Sequence, residues 1–446
     1  MRIHLIAIGG AVMHNLALAL HNKGIRITGS DDEIFEPSRT RLEAYGLLPD
    51  KTGWNPDRIH PELDGVILGM HAKKDNPELL RAQELGIKIW SFPEYIYEQS
   101  RDKKRVVIGG SHGKTTVTSM IMHVLRYNHM PFDYLVGSQL EGFETMVKVT
   151  DDSPVIILEG DEYLSSPIDP RPKFHLYQPH IAVLTGIAWD HMNVFPTWEN
   201  YLEQFDIFAD HITEDGILFW YENDSELARI NRKVACRTQS YAAHPAETGK
   251  LHTALMTGSG QVRVPVFGNH NMQNISAARM VCRELGLNDE QFYEAISSFK
   301  GAAKRQELIA ENTRQKIFLD FAHAPSKVKA TLEGFRERYP REKITALLEL
   351  HTFSSLNQAF MPQYSGTLER ADEAAVYFNP EVVKNKQLSP LEPEFVKSCF
   401  GKPGLKVINK KESLENYIRT RKEGICLLMS SGNFSGIDLH ELLADA

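Results

Sequence analysis

No apolar run in this chain approaches the roughly 20 residues that a membrane-spanning helix needs. A basic run of the kind that tracks nucleic acid is also missing; the net charge of −8 is spread along the sequence. Cysteine is scarce. Cys236, Cys282, Cys399 and Cys426 lie far apart without metal spacing, which predicts reduced, mostly buried thiols. Met1 leads straight into a strand-like run rather than a signal peptide, so a cytoplasmic protein with no membrane or nucleic-acid partner is expected. There are no biased tracts, internal repeats or long linkers, and 42% apolar residues argue against disorder. At 446 residues the chain exceeds what one core can serve, so two to four domains are expected.

Two complete nucleotide signatures are absent as well. The strict phosphate-loop pattern asks for glycine five residues before Gly113, where Ile108 stands. The dinucleotide fingerprint would be helped by glycines where Ala7 and His14 stand, so a nicotinamide cofactor is poorly supported.

What is present is a shortened phosphate cradle. Val106, Val107 and Ile108 suit a buried strand; Gly109, Gly110 and Gly113 permit a tight turn and close backbone approach to a ligand. Lys114, Thr115 and Thr116 then open a helical pattern through Met120, Ile121, Val124 and Leu125. Backbone N–H groups at such a helix start point at an anion, the lysine adds a cation, and the threonine hydroxyl can ligate Mg²⁺. The plainer reading, a glycine-rich turn with an incidental lysine, explains less of this order.

Along the chain, Arg2 to Ile8 reads as a strand, Gly9-Gly10 as a turn and Ala11 to Lys23 as a helix. Arg26 to Gly29 is a second strand, ending at Ser30-Asp31-Asp32, as in a Rossmann-like unit. A nucleotide diphosphate at Gly9-Gly10 and a mere helix-on-strand packing site are equal readings of this stretch. Asp64 to Leu68 is a further strand, with His71, Ala72, Lys73 and Asn76 beyond its end and a helix from Asn76 to Leu85. After the phosphate loop, Val155 to Leu158 delivers Glu159, Asp161 and Glu162, and His180 to Thr185 is followed by Trp189-Asp190-His191. These suit Mg²⁺ on ATP, and Glu159 carries more of that argument than His191, because Mg²⁺ prefers oxygen. Alone, an Asp-His pair is more often a cap or a surface feature.

Gly216 to Tyr221 and Leu251 to Phe267 look like strands, and Asn271 is placed to cap a helix from Gln273 to Leu285. Lys304 and Arg305 close this segment, either reaching phosphates or simply solvated. A third α/β unit follows. Lys316 to Leu319 ends in Asp320-Phe321-Ala322-His323-Ala324-Pro325 before a helix from Ser326 to Arg338. Lys343 to Leu350 ends at His351, and Ala374 to Phe378, Leu405 to Ile408 and Ile425 to Met429 complete a sheet. The last strand runs into the small, donor-rich Ser430 to Gly436 turn, then a closing helix.

Taken in order, these motifs resemble the Mur ligase family, ATP-dependent amide-forming enzymes of peptidoglycan metabolism. Ile-Gly-Gly at 8–10 and Thr-Gly-Ser-Asp at 28–31 are similar to its nucleotide-sugar segment, and Gly-Ser-His-Gly-Lys-Thr-Thr at 110–116 to its ATP loop. Glu-Gly-Asp-Glu at 159–162 and Asp-His-Met at 190–192 resemble its Mg²⁺ motifs. Gly-Asn-His-Asn at 268–271 resembles its adenine segment, and Lys-Arg at 304–305 with Asp-Phe-Ala-His-Ala-Pro at 320–325 its hinge and ribose motifs. One match would be weak; six in the family's order are specific.

The resemblance implies an α/β fold of three domains. These are a Rossmann-like UDP-sugar domain at 1–101, a central P-loop ATPase domain at 102–308, and a Rossmann-like domain at 309–446 for the incoming amine. It implies Lys114, Glu159 and His191 as catalytic, with Thr115, Glu159 and His191 on Mg²⁺. ATP would meet Gly110, Ser111, His112, Gly113, Lys114, Thr115, Thr116, Asn271, Arg305 and Asp320. The UDP-sugar would meet Gly9, Gly10, Ser30, Asp31 and His71, and a peptide His323, His351 and Ser430.

Two branches of the family extend UDP-N-acetylmuramate, one with L-alanine and one with the recycled tripeptide L-Ala-γ-D-Glu-meso-diaminopimelate. Ile34 to Ser38, Asp169 to Tyr177 and Met429 to Ile437 are similar to the tripeptide branch. Some features depart from the family. His351 stands where an arginine is usual, Ala324 replaces a second histidine, and no lysine lies between Met192 and His211 to be carbamylated. The L-alanine branch is the near alternative and a non-catalytic nucleotide-binding scaffold the distant one; a monomer or weak homodimer is expected.

Overall fold

Continuous β-branched and leucine-rich runs such as Val106-Val107-Ile108 and Ile156-Ile157-Leu158 suit strands buried on both faces, and both runs lie fully buried within parallel sheets. The computed structural model describes residues 1–302, 304–421, 423–439 and 441. The chain divides into two compact units. The first comprises Met1–Ile187, Leu202–Ala242 and Ala277–Phe292; the second comprises Ala188–Tyr201, Ala243–Ser276 and Tyr293–Ala446. Among the described residues no helix is long and apolar enough to cross a membrane. All four cysteines are free thiols and buried, as expected.

The first unit holds two large sheets. Strands β1 (Arg2–Ile6), β2 (Arg26–Ser30), β3 (Gly65–Leu68) and β4 (Ile89–Ser91) form a parallel sheet in the order β2-β1-β3-β4. The second sheet contains β5 (Lys104–Gly109), β6 (Asp133–Leu135), β7 (Val147–Lys148) and β8 (Val155–Glu159). A separate hairpin, β9 (Leu164–Ser166) and β10 (Asp169–Pro172), comes next in the chain. Strands β11 (Ile181–Leu184), β12 (Ile217–Tyr221) and β13 (Arg237–Tyr241) complete the seven-stranded order β13-β12-β11-β5-β8-β6-β7. Only β7 runs antiparallel to its neighbour. The phosphate loop therefore leaves the carboxyl end of a central strand, where open α/β sheets bind ligands.

The second unit holds the antiparallel sheet β14 (Ala246–Thr248), β15 (Thr253–Thr257) and β16 (Gly260–Val264). It also holds β17 (Glu307–Glu311), β18 (Gln315–Asp320), β19 (Ile344–Leu350), β20 (Glu373–Phe378), β21 (Lys406–Ile408) and β22 (Gly424–Met429). Their order is β17-β18-β22-β19-β20-β21, parallel except for the edge strand β17. Alternation splits its core. Phe318, Leu348 and Leu427 join one cluster, while Ile317, Leu347 and Leu428 join the one on the other face. At roughly 1.5–3 kcal/mol per buried large apolar side chain, this two-sided burial holds the strand ends in register.

The three α/β segments are thus found as three mainly parallel sheets. The run Leu251 to Phe267 is a hairpin rather than one strand, because Gly258 and Gly260 turn the chain. Asn271 does not cap its helix: the helix starts at Asn269, which puts Asn271 inside the first turn. Asn76 is a cap, its side chain accepting from the N–H groups of Glu78 and Leu79 at 2.9 and 3.1 Å. Most of the closing helix expected after Gly436 falls at residues 440 and 442–446, outside the described residues.

Candidate active site

In the first unit, β5 ends at Gly109, and Gly113 precedes the helix Lys114–Tyr127. Gly110 has φ +129, and a Cβ there would lie 2.1 Å from the Thr185 hydroxyl, so only glycine fits this turn. The Thr185 hydroxyl donates to the carbonyls of Gly109 and His112, bracing the loop from β11. Sequence reasoning passed over Thr185 because a threonine at a strand end carries no signal of its own.

Lys114 Nζ donates to Gly110 O and to a Glu162 carboxylate oxygen, each at 2.6 Å. Burial alone would depress this ammonium, but Glu162, Asp161 and Glu159 together raise it above the ordinary lysine value. The Thr115 hydroxyl donates to Glu159 Oε1 at 2.9 Å, and Gly137 N–H donates to Glu159 Oε2 at 2.9 Å. Burial raises the Glu159 carboxyl, with Gly137 N–H and the Lys114 charge opposing. Lys114, Thr115 and Glu159 are brought together as expected. Gly137 was missed, since the strand before it, β6, is too short to read.

This donor set fits the implied group. Neighbouring ligands of an octahedral Mg²⁺ at about 2.0–2.1 Å lie about 2.9 Å apart. The Thr115 and Glu159 oxygens have that separation. Ser111 and Thr116 are buried, and His112 and Gly113 half-buried, along the same loop.

At the first glycine turn of the same unit, Asp31 Oδ2 accepts from Gly9 N–H at 2.7 Å. Burial and the adjacent Asp32 push the Asp31 carboxyl up to about 6, against the pull of Gly9 N–H. The glycine turn, with Gly10 beside it, therefore already faces a carboxylate at its first N–H. Ser30 is wholly buried and donates to Glu78, which also meets His4 Nε2 at 3.3 Å. Along the extended chain Ser30 and Asp31 point to opposite sides, the first to Glu78 and the second to the glycine turn. His71 is exposed.

In the second unit, Asn271 Nδ2 donates to Phe267 O at 2.8 Å and to Gln306 Oε1 at 3.1 Å. Gln306 N–H in turn donates to Asp320 Oδ2 at 2.8 Å. The two residues expected around adenosine are thus linked through Gln306, which the sequence did not flag. The Arg305 guanidinium stacks 4.3 Å from the Phe321 ring centroid. His191 belongs to this unit and has φ +56. Its neighbour Asp190 is buried, 3.6 Å from Lys327 Nζ and 3.9 Å from His323 Nε2. Burial would raise the Asp190 carboxyl, but the Lys327 ammonium foremost, with the His191 backbone N–H, holds it well below the usual carboxylate range. Burial, aided by Lys327, pushes His323 down to about 3, and Asp190 offsets only part of this. His323 is therefore a buried, neutral ring bonded to Phe321 O at 2.8 Å.

His351 and Ser430 end the neighbouring strands β19 and β22. A Cβ on Gly432 would lie 2.8 Å from the His351 ring and 2.9 Å from a Glu349 oxygen. Ser430 donates to that same Glu349 carboxylate, and Phe434 N–H donates to it at 2.9 Å. The Ser430 hydroxyl accepts from Gly432 N–H at 2.7 Å, so it shapes the turn around His351.

A family model described as Mur ligase family, catalytic domain, matches residues 2–104, and one described as Mur ligase middle domain matches 108–282. A UDP-N-acetylmuramate–L-alanine ligase of Ligilactobacillus salivarius is 30% identical over 386 residues, covering 82% of this chain and 81% of its own. A UDP-N-acetylmuramate–L-alanyl-γ-D-glutamyl-meso-2,6-diaminoheptandioate ligase of Haemophilus influenzae is 27% identical, covering 99% and 98%. The crystal structure of a murein peptide ligase from Psychrobacter arcticus superposes with a TM-score of 0.70 at 23% identity, covering 100% and 98%. At that identity the likeness speaks to the fold. The chain belongs to the Mur ligase family and is an ATP-dependent ligase of that type.

Proposed function

We propose that this ligase joins the lactoyl carboxylate of UDP-N-acetylmuramate to the amine of L-Ala-γ-D-Glu-meso-diaminopimelate, in the cytoplasm, for peptidoglycan recycling. The carboxylate attacks the γ-phosphate of ATP, giving an acyl phosphate and ADP; the amine then attacks the carbonyl and phosphate leaves. Phosphoryl transfer of this kind asks for positioning and charge neutralisation rather than a protein nucleophile. Lys114 holds the β- and γ-phosphates, and Gly110 to Thr116 present backbone N–H groups to them. Thr115, Glu159 and His191 would hold Mg²⁺, which when bound supplies positive charge to the phosphate oxygens. Asn271 and Asp320, linked through Gln306, hold adenine and ribose, and Arg305 serves the phosphates. Gly9, Gly10, Asp31 and His71 take the UDP-sugar, and His351 with the Ser430 turn takes the incoming peptide.

The observation that carries the tripeptide reading is the Asp169–Tyr177 stretch. It resembles the tripeptide-adding branch, and it folds back on the acidic motif through Lys173 N–H to Tyr163 O at 3.0 Å and Phe174 N–H to Asp161 O at 3.2 Å. The names of several relatives favour L-alanine as the second reading. Phosphate release with UDP-N-acetylmuramate and ATP, measured with tripeptide and with L-alanine in parallel, separates them. Turnover with L-alanine alone would overturn the tripeptide assignment.

A further inference from the structure

The hairpin β9–β10 does more than mark a branch of the family. It returns the chain so that Lys173 Nζ lies 2.5 Å from Asp161 Oδ2, two residues beyond Glu159. The side chain is mostly buried and is steered by two aromatic faces, Phe92 at 5.5 Å and Tyr163 at 5.8 Å from the ammonium. Next to it, Phe174 is wholly buried, stacked on Phe208 at 4.6 Å, which anchors the turn. Arg171, two residues earlier, is tied to Asp169 and Glu94 on the surface instead.

Glu159, Asp161 and Glu162 thus lie beside the phosphate loop, with the Lys114 and Lys173 ammonium groups set against Glu162 and Asp161. Lys114 is paired with Glu162 here. A nucleotide phosphate that draws the Lys114 ammonium away leaves these carboxylates facing a polyanion. A carboxylate within several ångströms of a phosphate is repelled by it unless a cation offsets the charge. We propose that Lys173 is the second cation of the phosphate site, a positioning residue that neutralises the acidic motif when Lys114 turns to the nucleotide.

This inference rests on Gly110 to Thr116 being the nucleotide site. Titration calorimetry with ADP alone, without metal, tests both. The wild type binds ADP; Lys173→Met weakens binding about tenfold, whereas Lys173→Arg, which keeps the charge, stays within about threefold. Asp161→Asn combined with Lys173→Met recovers most of the lost affinity, because the charge needing neutralisation is gone. A merely structural lysine would show no such recovery, and thermal unfolding of each variant reports folding separately. Wild-type affinity in Lys173→Met, or no recovery in the double variant, overturns the inference. A wild-type protein that does not bind ADP overturns the assignment of the loop beneath it.

Discussion

The Lys114 ammonium lies 2.6 Å from a buried Glu162 carboxylate oxygen, so the lysine of the glycine loop is held by an acid that follows β8. Replacing it has two separable effects. Lys114→Met removes the cation proposed to follow charge in the transition state, and ligation should fall about a thousandfold. The same change takes the Lys114 cation from the buried Glu162 carboxylate, at about 3 kcal/mol of stability. Lys114→Met with Glu162→Gln should restore most of the stability and none of the turnover. Urea unfolding and phosphate release on the three proteins check this; unchanged turnover in Lys114→Met would sink the loop's assignment.

Asp31 predicts a pH effect on the ligand-free protein. Its folded-state value of about 6 exceeds the roughly 3.9 of an unfolded aspartate. Between those values the native state binds more protons than the unfolded state, so stability contributed by this group falls as pH rises through the window. Asp31→Asn, whose carbonyl can still accept from Gly9 N–H, should match the wild type near pH 4. By pH 7 it should be more stable by about 2 kcal/mol. Denaturant midpoints at the two pH values decide; equal stability at pH 7 would contradict the burial argument.

Gly432 tests the turn around His351. A methyl group there would sit 2.8 Å from the His351 ring and 2.9 Å from the Glu349 carboxylate. Gly432→Ala should cost about 1–3 kcal/mol and displace His351. If His351 serves the amine substrate, KM for that substrate rises at least severalfold while ADP affinity is unchanged. A change in ADP affinity alone would place this turn elsewhere in the reaction.

Much of this was legible along the chain because it is local. The strand, glycine turn and helix around Lys114 are consecutive in sequence, and the apolar runs of β5, β8 and β11 declare buried parallel strands. Short strands such as β6 and β7 gave no such signal, having too few residues to show a period.

Sequence alone determined the three-sheet α/β class and the acids and lysine at strand ends, since both follow from patterning and spacing over a few residues. Partnership across the fold was decided only in three dimensions. Ser30 turns inward to Glu78, His323 is neutral beside Asp190, Gln306 joins Asn271 to Asp320, and Lys173 reaches Asp161. Each depends on burial and on charges brought close by packing, and these set orientation and protonation where local sequence leaves both open.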